Sequence, residues 1–195
     1  MPTSSRVRVG GPPLAGLALL FFASGVSGLM YQVLWLRMLS LVFGVTAYAA
    51  STVLASFMAG LALGSLLAGR LADRVRSPLR WFGAIEVGIA ISALLTPWGL
   101  DAAQTLYGAV HAAVPDHLVA LTLARFVCSF LVLLVPTVLM GATLPLVVRS
   151  TIVARGVLGP RVGLLYAINA GGAITGAILA GFHLIGDVGL NRTFL

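Results

Sequence analysis

Between Leu14 and Gly69 the chain carries one formal charge, Arg37, in a stretch whose other side chains are almost all apolar or small. A soluble domain, in which about a quarter of residues are charged, does not tolerate such a run. The rest of the sequence repeats the pattern: hydrophobic residues make up 59%, charged residues 9%, and the mean hydropathy is +1.07. The chain reads as an integral membrane protein.

A hydrocarbon core needs roughly 20 apolar helical residues to cross it. Segments 14–41, 46–69, 81–100, 118–148 and 162–185 meet that length, and none alternates polar and apolar residues as a barrel strand would. The expectation is an all-α bundle of about five transmembrane helices. Residues 1–13 form a polar tail, 14–190 the membrane domain, and 191–195 the start of a truncated continuation, so the chain reads as a fragment. The fourth segment is too long for an upright span and holds Pro136 and Pro145, which predicts tilting or a kink. The basic tail followed by an apolar run has the layout of a secretory signal, but the run passes residue 24 without a small-x-small cleavage site. An uncleaved first span is expected.

The 12 basic residues, all arginine, outnumber the 5 acidic ones. They punctuate the apolar spans and do not cluster on a solvated face, which excludes a nucleic-acid partner. Arg6, Arg8, Arg70, Arg74, Arg76, Arg80, Arg149, Arg155 and Arg161 fall on one side of the expected topology, whereas Asp101, Asp116 and Asp187 fall on the other. The positive-inside rule makes the arginine side cytoplasmic, with the N-terminus inside and residue 195 outside. Those arginines suit anionic headgroups. The one cysteine, Cys128, excludes an internal disulfide or a cysteine-based zinc site and reads as a packing residue. No metal spacing joins His111, His117 and His183, and no cofactor motif is present.

"GRLADRVRSPLR", residues 69–80, resembles the loop between the second and third helices of the major facilitator superfamily. In that reading Gly69 permits close helix approach, Asp73 pairs with an arginine or caps a neighbouring helix, and Arg74 holds the loop at the headgroups. "YQVLWLRMLSLVFG", "STVLASFMAGLALGSLLAGRLADR", "PTVLMGATLPLVVR" and "LLYAINAGGAITGAILAGFHLIGDVGL" together resemble the amino-terminal membrane region of fused major facilitator/spermidine synthases, over about residues 15 to 190. The resemblance implies a bacterial plasma (inner) membrane protein, and an aminopropyltransferase-like domain, fused or associated on the cytoplasmic side, that is absent from these residues. Gln32 stands where that family often has glutamate. No glycine-rich strand-turn-helix for decarboxylated S-adenosylmethionine occurs here, so this stretch alone is not expected to catalyse aminopropyl transfer.

Five polar residues in the apolar spans are candidate site residues: Gln32, Arg37, Glu86, Arg125 and Asn169. Tyr31 and Trp35 share a helix face beside Arg37, which reads either as an interfacial aromatic anchor with a snorkelling arginine or as the lining of an outward cavity. Ser24, Gly28 and Gln32 form an i+4 row that invites a neighbouring helix. Glu86 and Arg125 each cost roughly 2.5–3.5 kcal/mol at a helix centre and should turn from the acyl chains toward protein or water. Their depths differ by roughly 10 Å, so a direct ion pair needs long reach and tilt. Thr122, Arg125 and Ser129 make a polar stripe; Arg125 resembles the fourth-helix arginine of many facilitators, which implies a proton or substrate route, and the alternative is structural hydrogen bonding to backbone carbonyls. Gly172, Gly176 and Ala180, with the parallel row Ala173, Ala177 and Gly181 below Asn169, predict close packing of the fifth helix. Two functions follow: a transporter-like module binding or moving a small solute between helices one, four and five, or a non-transporting platform for the enzyme domain. Two arginines against one glutamate in the membrane favour anionic or neutral solutes over a polyamine cation.

Overall fold

The computed structural model describes residues 14–44, 46–72, 74–113, 117–150 and 158–187. They form α1 (Leu14–Phe43), α2 (Thr46–Ala72), α3 (Pro78–Ala113), α4 (Leu118–Ser150) and α5 (Leu158–Ile178); a π-helical turn over Leu179–Leu184 then leads into a short α6 (Ile185–Asp187). Among the described residues there is no strand, and five helices are long and apolar enough to cross a membrane. Large apolar side chains point away from the bundle, among them Leu19 at 70% exposure, Leu123 at 58% and Phe182 at 81%. So much exposed hydrocarbon is unlike a soluble monomer and suits lipid contact, which points to a multi-pass membrane protein.

Local chemistry sets several boundaries. α1 stops where Gly44 adopts φ 68° and its N–H reaches the Ser40 carbonyl at 3.0 Å, a left-handed helix end that a side chain would disfavour. α3 begins with Pro78 in its first turn, where a missing N–H costs nothing, behind Ser77, whose carbonyl accepts from the Trp81 N–H at 3.3 Å. α4 stays helical through Pro136 and Pro145. Thr137 follows the first of these, and its hydroxyl lies 2.8 Å from the Leu133 carbonyl, 3.0 Å from that of Leu134 and 3.2 Å from that of Ser56 on α2. The carbonyl that Pro136 leaves without its N–H is that of Val132, so the Thr137 hydroxyl does not replace that bond but links α4 to the Ser56 carbonyl of α2.

The largest departure from the sequence reading is α3. The expected span ends at residue 100, but the helix passes Pro97 and continues to Ala113. Thirty-six residues rise about 54 Å, well beyond the roughly 30 Å of a hydrocarbon core. Asp101 and Gln104 end the apolar run without ending the helix, because the following residues include the good helix formers Ala and Leu.

The helices pack as a trio and a pair. α4 lies along both α2 and α3, while α1 lies along α5 and, less extensively, α2. Small residues let backbones touch in both groups. A Cβ at Gly60 or Gly64 would overlap Thr137 or the Val138 carbonyl on α4, and one at Gly172 or Gly176 would overlap the Phe22 or Val26 carbonyl on α1. The expected row Gly172, Gly176 and Ala180 is therefore buried, whereas Gly181 from the second row opens onto free space. Two apolar clusters plug the bundle. One joins Leu17, Phe21, Ala72, Phe82, Leu146, Val147 and Leu165; the other joins Leu34, Trp35, Leu39, Ala49, Val53, Ala93, Leu100 and Leu133. The first sits at the end carrying Arg70 to Arg80 and the second toward the opposite end, so the middle of the seam between trio and pair is left to smaller and more polar side chains.

Candidate functional site

That seam holds a cavity of about 280 Å³. Ser24, Gly28 and Asn169 contribute from the α1/α5 pair, and Phe57, Met140 and Thr143 from the trio. Asn169 is fixed by a 2.8 Å bond from its Nδ2 to the Phe21 carbonyl, made where Gly25 brings α1 against α5. A Cβ at Gly25 would overlap the Asn169 backbone, so only glycine allows this approach. The amide oxygen of Asn169 and the hydroxyl of Tyr166, three residues earlier on α5, add hydrogen-bonding capacity to the wall. Thr143 turns its hydroxyl to the Met140 carbonyl at 2.7 Å.

Glu86 on α3 is half-buried and accepts a 2.7 Å hydrogen bond from the Ser24 hydroxyl. The bond crosses the seam, tying the α1/α5 pair to the trio where apolar contact between α1 and α3 is slight. Glu86 does not itself line the cavity; its carboxylate stands behind Ser24, which does. Arg125 is not its partner: its guanidinium lies 4.1 Å from the centre of the Tyr107 ring, on the extension of α3 that the hydropathy reading left out of the helix. The separation exceeds the depth difference of roughly 10 Å read from sequence, because about 30 Å of helical rise on α3 lies between Glu86 and Tyr107. Both ionisable groups nevertheless turn inward, as the cost of lipid exposure requires.

Other expected positions scatter. Gln32 leaves the row it was placed in and lines a groove between α1 and α2, of about 290 Å³, with Leu29, Ala50 and Leu54, while Ser24 and Gly28 line the central cavity. Arg37 is exposed. Trp35 beside it is fully buried in the core, stacked on Tyr31 at 5.9 Å, which overturns the interfacial-anchor reading for this tryptophan. Its Nε1 has no hydrogen-bond partner among the described residues. The polar stripe of α4 divides: Thr122 lines a separate groove with Tyr48 and Ser51, whereas Arg125 and Ser129 share a pocket with Gln104, Tyr107 and Cys128. Gly69 is exposed with open space at its Cβ position, so it makes no close helix contact among the described residues. Arg74 is exposed, its N–H donating to the Leu71 carbonyl at 2.9 Å, and Asp73 lies outside the described residues.

Sequence reasoning missed Thr143, Tyr166, Gln104 and Tyr107. Tyr166 and Asn169 stand three apart on one helix face, a signal available in the sequence. Gln104 and Tyr107 were concealed by the assumption that the third helix ends with its apolar run. Among the described residues no group of three or more acidic, histidine or cysteine side chains is arranged to hold a metal. Comparison with protein-family models, with curated proteins and with solved structures finds no match to this chain.

Proposed function

We propose that the chain is the polytopic, transporter-like membrane module of a spermidine synthase-like fusion protein, resembling part of the amino-terminal half of a major facilitator, and that its central cavity binds a small hydrogen-bonding solute. The supporting observation is the cavity itself: polar groups from two helix groups converge in the middle of an apolar bundle, with Glu86 held behind Ser24. The module lies in a bacterial plasma (inner) membrane with its N-terminus and arginine-rich loops cytoplasmic, against anionic headgroups.

The charge balance of the spans as a whole favours anions. Divided by site it does not, since Arg37 is exposed, Arg125 lines a different pocket, and Glu86 is the ionisable group bonded to the cavity wall. A neutral or cationic solute, polyamines among them, therefore suits the central cavity better. The test is binding and uptake by the purified protein in proteoliposomes with spermidine, a neutral amide and a dicarboxylate as probes. Wild-type uptake of spermidine or the amide that falls in Glu86→Gln and Asn169→Ala, with both variants monodisperse, supports the reading. A second reading, a platform that moves nothing and holds a cytoplasmic aminopropyltransferase domain, draws on the exposed Arg70, Arg74, Arg76 and Arg80, which would dock an acidic protein surface. Absence of binding and flux for every probe, with a retained enzyme-domain interaction that is lost when these arginines are replaced, would favour it.

A further inference from the structure

The pocket between α4 and the extension of α3 is separate from the central cavity, and its chemistry is different. It encloses about 200 Å³ and is lined by Gln104, Tyr107, Arg125, Cys128 and Ser129, with Arg125 the one formally charged lining residue among the described residues. That volume is below the roughly 300–1,000 Å³ of drug-sized sites, so it selects a small solute.

Two observations mark it as a binding site. The half-buried Arg125 places its guanidinium carbon over the Tyr107 ring, 4.1 Å from the centroid, which holds the cation at the pocket. A guanidinium has five N–H donors in its plane, enough to serve a bidentate anion as well as a protein partner. The second observation is Ser129. Thr52, Ser56, Thr96, Thr137 and Thr143 are buried hydroxyls that each donate to a backbone carbonyl. Ser129, only 2% exposed, makes no such bond among the described residues and lines the pocket. A buried hydroxyl without a protein acceptor is costly unless something else serves it. Ser129 shares the pocket with a fixed guanidinium and the amide of Gln104, a set of convergent donors.

We infer that this pocket binds a small oxyanion, a carboxylate or phosphate group, held by Arg125 with Ser129 and Gln104 as further donors. The group belongs either to a free solute or to an anionic lipid headgroup; the pocket is at the end of the bundle opposite Arg70 to Arg80.

Cys128, the chain's one cysteine, reports on the pocket directly. Its thiolate displaces methanesulfinate from a methanethiosulfonate reagent and forms a mixed disulfide, so the modification rate measures access and local potential. The purified protein, in detergent and in phosphatidylcholine vesicles, is treated with the sulfonatoethyl (anionic) and trimethylammonium-ethyl (cationic) reagents. The anionic-to-cationic rate ratio should be about tenfold higher in the wild type than in Arg125→Gln, since a local field of one sign concentrates the opposite charge. Succinate or inorganic phosphate should slow the wild-type reaction. Ser129→Ala keeps the charge and the rate ratio but should need about tenfold more succinate for equal protection, and it keeps the proposal open to refutation if Arg125→Gln fails to fold. Protection by phosphatidylglycerol in the vesicles without protection by succinate or phosphate would assign the anion to a headgroup. Equal rate ratios in wild type and Arg125→Gln, or no protection of the wild type by succinate, phosphate or phosphatidylglycerol, would overturn it. None of these results depends on uptake through the central cavity.

Discussion

The hydrogen bond from Ser24 to Glu86 is a polar link across the seam, and a double-mutant cycle measures what it is worth. At 2.7 Å it has the length of a strong hydroxyl–carboxyl bond. Interhelical hydrogen bonds in membranes are worth about 0.6–2 kcal/mol, and bonds to charged groups about 1.5–3 kcal/mol. Glu86 is only half-buried, and a released Ser24 hydroxyl can turn back to a carbonyl of its own helix, so the lower part of these ranges applies. A coupling of about 1–1.5 kcal/mol is expected from Ser24→Ala, Glu86→Met and the double variant, by reversible unfolding in mixed micelles. Methionine approximates the volume of glutamate and cannot accept the bond, whereas Glu86→Gln keeps an acceptor for Ser24 and should cost less. Additivity between unlinked sites holds to about 0.3–0.5 kcal/mol. A coupling below that margin would refute the link and with it the account of how a carboxylate comes to stand behind Ser24. A coupling within range, together with weaker spermidine binding in the stable Glu86→Gln, would tie the charge to the site.

Gly176→Ala should lower the unfolding midpoint, because the new methyl meets the Val26 backbone and overpacking costs about 1–3 kcal/mol, whereas Gly163→Ala on the same helix, with open space, should be neutral or stabilising by about 0.5–1 kcal/mol. A matching response of the two would argue against the α1–α5 contact. In vesicles of brominated lipid, single-tryptophan variants should show quenching of Trp81 and Trp98, at 52% and 62% exposure, and little of Trp35, at 0%. Strong quenching of Trp35 would restore the interfacial-anchor reading. Asn169→Leu should cost about 0.6–2 kcal/mol through loss of the bond to Phe21 and should abolish solute binding in the cavity, measured as loss of ligand-induced thermal stabilisation. Unchanged ligand stabilisation in a folded Asn169→Leu would remove Asn169 from the site.

The spans were legible because the bilayer imposes one rule on every helix that crosses it, a run of apolar residues about 30 Å long. Partners were not, since lipid and a neighbouring helix are equally apolar and hydropathy cannot separate a lipid-facing leucine from a packed one. Leu34 at 1% exposure and Leu41 at 69% stand on the same helix with the same side chain. Small residues carried the missing information where they fell in rows, as Gly172 and Gly176 do. A single one carries less, as with Gly69, whose Cβ position meets open space among the described residues. Trp35 escaped for a related reason: an indole next to an arginine looks interfacial until the neighbouring helices are in place. The end of α3 was lost because an apolar window measures what surrounds a helix and not whether the backbone stays helical.

The same separation governs the ionisable groups. Summed along the sequence, two arginines and one glutamate describe a mildly cationic membrane domain. In the fold Arg37 leaves the bundle, Glu86 is tied to α1, and Arg125 is held at the other end against Tyr107. About 30 Å of helical rise separates Glu86 from the Tyr107 that holds Arg125, and at an effective dielectric of about 20 unit charges that far apart interact by only about 0.6 kcal/mol, less than the direct contacts each group makes. Local partners therefore set the character of each cavity more than the total does. A bundle built this way can present a carboxylate to one solute and a guanidinium to another without the two charges neutralising each other, which a direct Glu86–Arg125 pair would have prevented.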